Sequence, residues 1–190
     1  MLTPGADPVR KVSIIPRGMA LGVTFSAPET DRFNYEEREL KARIKVALGG
    51  RTAEELVFGE PTTGAESDIV QLTEIARQMV ARWGMSQAIG PLVVTSADGR
   101  GPFYPGGSEV SERTQELIDT EMRRIVDEAH QQVAQLLREN RGKLDALAEA
   151  LLEHETLDED DAYAAAGVEH ASTDDAGDVA IAARHAPGSS

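Results

Sequence analysis

The chain contains no cysteine. That excludes disulfides, zinc–thiolate sites and thiol nucleophiles, and it suits a reducing compartment. Aromatic residues make up 4% of a chain that is 41% hydrophobic, so a core must be built from Leu, Ile, Val, Ala and Met. Basic residues are also scarce: 19 Lys and Arg stand against 33 Asp and Glu, a net charge of -14. This balance argues against nucleic acid, whose phosphates need a basic surface, and against an anionic membrane surface. No apolar run reaches the length of a bilayer span, and the first residues lack a signal-peptide core. As written, the chain is expected to be cytoplasmic, with no membrane segment of its own.

Several catalytic motifs are missing. A phosphate-binding GxxxxGK[ST] loop is absent, because the only Gly-Lys pair, Gly142-Lys143, is followed by Leu144. No GxGxxG follows a predicted strand and no GxSxG occurs, so neither a dinucleotide site nor a nucleophile elbow has support. The histidines are His130, His154, His170 and His185, and none has a second histidine four residues on. The HExxH zinc pair is therefore not in this sequence. His154-Glu155 begins like it, but Asp158 stands in the second histidine's place. His154 reads as a solvated residue near a helix C-terminus, and His130, among Glu128, Gln131 and Gln132, as part of a wet face.

What is present is mostly helical periodicity. Val12 to Ile15 and Leu21 to Phe25 read as short strands around Pro16-Arg17-Gly18. A helix is predicted from Tyr35 to Leu48, ended or bent by Gly49-Gly50, with a short helical piece, RTAEELVF, after it. Ile69, Leu72, Ile75, Ala76, Met79, Val80 and Trp83 form one apolar stripe, stopped by Gly84. A Gly- and Pro-rich loop from Ala97 to Gly107 leads to the longest predicted helix, Ser111 to Asn140, with Ile118, Met122, Ile125, Ala129, Val133 and Leu136 on its stripe. Beyond Arg141-Gly142, Leu144, Leu147, Leu151 and Leu152 mark another helical face. Thr156 and Glu159 have capping-box spacing for a last helix through Ala166. The expectation is a mainly α domain over 1–166 with a small N-terminal β element, then an acidic, disordered tail over 167–190.

Two places could carry chemistry. Asp68 follows TTGAES at the head of a helix. It can interact with the free N–H groups of the first turn, as Thr62, Thr63, Glu66 and Ser67 also can, or it can form one corner of a metal site. Glu54 and Glu55 are adjacent on a helix, so their carboxylates diverge, and solvation of both is the simplest reading.

The blocks VRKVSIIPRGMALGVTF, LGGRTAEELVFGEPTTGAESDIVQLTEIARQMV and WGMSQAIGPL, in that order and spacing, resemble the peptidase domain of FtsH, the membrane-anchored, ATP-dependent zinc metalloprotease. The likeness spans about Asp7 to Ala166. It implies a helical metallopeptidase domain in which zinc is held by two HExxH histidines and by the aspartate of a TGAxxD segment, here Asp68. Gly64 would let the backbone turn so that the acid faces inward, and Glu54 and Glu55 would support the site structurally. The strand Leu21, Gly22, Val23, Thr24 and Phe25 would receive an extended substrate by strand addition. The resemblance puts HExxH, with its general base, just upstream of Met1, so the chain alone is expected to be inactive. ATP would act through an ATPase module outside the chain. The implied whole is a homo-hexamer, membrane-anchored with this domain on the cytoplasmic side, degrading unfolded and membrane proteins. The alternative is a non-catalytic assembly or regulatory fragment of that hexamer.

Overall fold

The structure is a computed structural model, and it describes residues 1–16, 22–27, 34–94 and 111–169. The predicted loop from Ala97 to Gly107 and the tail beyond residue 169 lie outside the described residues. Contacts divide the chain into two units. One contains Met1, Asp7–Glu29 and the chain from Arg141 onward, and the other Leu2–Ala6 with Thr30–Asn140. The described residues are mainly helical with one small sheet, as the periodicity implies.

The larger unit is built on α1 (Glu37–Phe58), α2 (Glu66–Ala81) and α3 (Glu112–Glu139). Two of the three helices, α1 and α3, start at side-chain caps. Glu36 and Glu39 form a reciprocal capping box on α1, and the Ser111 hydroxyl accepts from the Thr114 amide at the head of α3. The core takes Leu40, Ile44 and Leu48 from α1, Leu72, Ala76, Met79 and Val80 from α2, and Ile118, Ile125, Ala129 and Val133 from α3. On α2 and α3 these are predicted stripe positions, but Leu136 and Trp83, predicted on the same stripes, are outside this core. Because α2 ends at Ala81, Trp83 lies beyond the helix and is 42% exposed.

The glycine pair does not end α1. The helix runs unbroken through Gly49 and Gly50, and a Cβ at either would meet nothing within 4 Å. Each glycine costs about 1 kcal/mol against alanine, a loss that the packed turns on both sides absorb. The stop comes at Gly59, with φ at 85° and its amide bonded to the Glu55 carbonyl.

The smaller unit holds β1 (Val9–Ser13), β2 (Val23–Ser26), α4 (Arg141–His154), β3 (Thr156–Asp158) and α5 (Glu159–Ala165). The strand order is β2-β1-β3, and both pairings are antiparallel. β1 begins three residues earlier than predicted. β2 covers Val23 to Ser26, while Leu21 lies outside the described residues. Leu151, Leu157 and Ala162 form the core, joined by Val12, Leu147, Ala150 and Ala165. Leu152, expected on the apolar face, is exposed.

The capping box predicted from Thr156 to Glu159 is replaced by other pairings. Thr156 belongs to β3, where its hydroxyl pairs with that of Ser13 at 2.8 Å. Asp158 caps α5 by accepting from the Asp161 amide, and Glu159 takes a bidentate bond from Arg10 at 2.6 and 2.7 Å. A three-residue strand, whose Thr156 pairs with Ser13 across 143 positions of chain, outcompetes the local motif because β1 supplies a hydrogen-bonding partner. Between α4 and β3, Glu155 sits in the left-handed region, with φ at 59°. Its amide closes α4 onto the Leu151 carbonyl and its carbonyl accepts from Ile14.

Candidate metal centre

Asp68 is the third residue of α2 and is half-buried. Among the described residues its carboxylate has no hydrogen-bond or ion-pair partner, and no side chain caps α2. The capping explanation therefore lacks its hydrogen bond, although the helix dipole still favours an anion there. What remains is a partly desolvated carboxylate, unpartnered among the described residues.

The turn before it is well fixed. Thr62 heads a 3-10 turn, Thr63–Ala65, and its hydroxyl accepts from the Gly64 amide at 3.2 Å. From α1, Glu54 grips the same residue at two points. One carboxylate oxygen accepts the Thr62 amide at 2.7 Å, and the other accepts the Thr62 hydroxyl at 3.1 Å. Gly64 does not use the left-handed region. Its lack of a side chain matters for close approach instead, because a Cβ there would lie 3.3 Å from the Thr62 hydroxyl oxygen.

Glu55 turns to other partners. It forms an ion pair with Arg51 one turn back at 3.2 Å, and it meets His130 Nε2 of α3 at 3.0 Å. His130 thus joins α3 to α1, a role beyond the wet face assigned to it by sequence. The two neighbouring acids do separate work: Glu54 holds the turn leading into α2, and Glu55 ties two helices.

One buried ionic group escaped the sequence reading. Glu121 of α3 is 8% exposed and accepts from the Ser86 hydroxyl at 2.8 Å, and Ser86 is itself buried. Arg124 donates to both oxygens of Glu121, at 3.0 and 3.1 Å. These Arg124 bonds hold the Glu121 carboxyl below its usual range against the opposing effect of burial, and the Ser86 hydroxyl adds to the lowering. The signal was in the sequence. Position 121 falls three after Ile118 and four before Ile125, so an acid occupies a stripe position.

In the smaller unit, β2 pairs only with β1 among the described residues, leaving its other edge open. All four residues are exposed, with Val23 and Phe25 on one face by alternation. Gly22, just before it, passes so close to β1 that a Cβ would meet the Ser13 carbonyl oxygen at 2.8 Å.

Asp68 suits zinc as one hard oxygen donor. The described residues do not bring three His, Cys, Asp or Glu side chains together to hold a metal, and a catalytic zinc takes about three protein ligands. The donor set is incomplete among the described residues. No helix among the described residues is long and apolar enough to cross a membrane.

The sequence profile of peptidase family M41 matches residues 1–164. The chain is 68% identical over 170 residues to the ATP-dependent zinc metalloprotease FtsH 3 of Conexibacter woesei, covering 90% of this chain and 23% of that protein. It is 58% identical over 163 residues to the ATP-dependent zinc metalloprotease FtsH of Thermobaculum terrenum, covering 84% of this chain and 25% of the relative. With the FtsH protein of Nitrosococcus oceani the identity is 50% over 161 residues, covering 82% and 25%. The chain thus spans about a quarter of the length of these curated relatives.

Proposed function

The chain belongs to peptidase family M41, and from that premise we propose that it forms the C-terminal part of an ATP-dependent zinc metalloendopeptidase acting on unfolded and membrane proteins. The observation that carries this reading is Asp68, a half-buried carboxylate without a partner among the described residues, standing on a turn that Glu54 holds at two points.

Asp68 gives the metal one anionic oxygen. Zinc, when bound, supplies the Lewis acidity that activates water toward a peptide carbonyl. The open edge of β2 offers backbone groups to an extended substrate by strand addition. Two further zinc donors and the general base come from outside these 190 residues, as does the ATPase module. In this reading the whole protein is a homo-hexamer, anchored in a membrane with this domain on the cytoplasmic side.

The 190 residues alone are expected to hydrolyse no casein with zinc and ATP supplied. In the complete polypeptide, Asp68→Ala is expected to abolish both stoichiometric zinc and cleavage. Clear turnover by the short chain, or full zinc content in the variant, overturns the reading.

A further inference from the structure

We propose that Glu54 is a positioning residue for Asp68, acting through Thr62, and the inference rests on the reading of Asp68 as a metal ligand. The geometry is a short relay. A carboxylate on α1 accepts both the amide and the hydroxyl of Thr62, at 2.7 and 3.1 Å. The same hydroxyl accepts the Gly64 amide at 3.2 Å. The 3-10 turn Thr63–Ala65 then runs without a break into α2, whose third residue is Asp68. Between the grip and the ligand every residue lies in hydrogen-bonded helical backbone, so fixing Thr62 fixes the direction from which Asp68 leaves the chain.

The anchor is itself held. The next residue on α1, Glu55, is ion-paired with Arg51 and meets His130 of α3 at 3.0 Å, so this part of α1 is tied to a second helix. Asp68 needs such support from the backbone because no hydrogen bond of its own orients it among the described residues. A ligand whose carboxylate is bonded directly to a neighbour is steered by that neighbour, whereas here the steering group acts on Thr62, ahead of the 3-10 turn that leads into α2. Glu54 is occupied by Thr62 and touches no reacting atom. Its effect on the metal is indirect.

The test uses the complete polypeptide that carries these residues beside the remaining zinc donors, and compares Glu54→Ala, Glu54→Gln, Thr62→Val and Asp68→Ala. Zinc affinity is measured by competition with a chromophoric chelator, and ligand geometry by the visible spectrum of the cobalt-substituted protein. Hydrogen exchange at the amides of residues 64–69 reports the turn itself. Loss of a group that orients a metal ligand typically weakens the metal about 10–100-fold, and that is the effect expected of Glu54→Ala, with an altered cobalt spectrum and faster exchange. Glu54→Gln keeps an acceptor for the Thr62 amide and should recover most of the affinity. Thr62→Val, which leaves α1 untouched, should weaken zinc by an intermediate factor. Unchanged affinity and spectrum in Glu54→Ala, while Asp68→Ala loses zinc, refutes the positioning role and leaves the ligand standing. Equal losses in Glu54→Ala and Glu54→Gln with no loss in Thr62→Val also refute it, since charge and not the grip would then be responsible. Full zinc affinity in Asp68→Ala removes the ligand itself, and the proposal with it.

Discussion

Removing the Glu121 carboxylate is expected to destabilise the three-helix unit by about 2–3 kcal/mol. The larger share comes from Ser86, which is 2% exposed and has Glu121 as its side-chain partner. Glu121→Ala leaves that hydroxyl dry and unsatisfied, at about 1–3 kcal/mol. Arg124 adds less than about 1 kcal/mol, because it is 44% exposed and keeps its second bond, to Glu128. The assay is urea unfolding followed by the fluorescence of Trp83, the single tryptophan, which stands three residues before Ser86. The double variant Ser86→Ala/Glu121→Ala removes both partners, so no polar group is stranded, and about 1–2 kcal/mol of the loss should return. The pH dependence has a definite sign. A carboxyl whose folded pKa is lowered adds stability that is fully present above its unfolded pKa and fades as pH falls through the folded value. The gap between wild type and Glu121→Ala should therefore hold near neutrality and narrow below about pH 4.5, the ordinary value for this group. Identical urea midpoints for the two proteins, or a double variant as unstable as the sum of the singles, would show that the pair is not coupled as described.

Three further perturbations probe the scaffold. Gly84→Ala places a Cβ 2.7 Å from the Pro91 Cα at a φ of 65°; a loss of about 1–3 kcal/mol is expected in the same urea assay. Glu155→Gly relieves a left-handed non-glycine residue and should stabilise the sheet-containing unit by about 0.5–1 kcal/mol, read as increased amide protection in β3. Arg10→Ala breaks a bidentate pair whose side chains are 22% and 17% exposed. About 1–2 kcal/mol should be lost, with faster hydrogen exchange across β1 and α5.

Periodicity made the three-helix core legible, since Leu72, Met79, Ile118 and Ile125 could be assigned to buried faces from their spacing alone. It failed where the deciding partner is distant in sequence. Thr156 has a plausible local role, yet β1 claims it from 143 positions away. Glu54 and Glu55 are the same residue type at consecutive positions of one helix, and only the path of the following loop and the approach of α3 separate their tasks. Gly49-Gly50 misled for the opposite reason: local propensity argues for a break, and packing on either side carries the helix through. At the candidate site, the resemblance to a TGAxxD segment singled out Asp68, while the residues alone left it between a helix cap and a metal ligand. The clamp behind it was not legible, because nothing in Thr62 or Glu54 taken singly points to the other.

On the proposed reading, in which the β2 edge left open among the described residues takes a guest strand, a consequence for selectivity follows. Amides and carbonyls are identical in every polypeptide, so a strand that recruits its guest through them accepts almost any sequence able to straighten. Discrimination among clients would then belong to whatever uncoils and delivers them, and the final encounter would need only a loose, extended end.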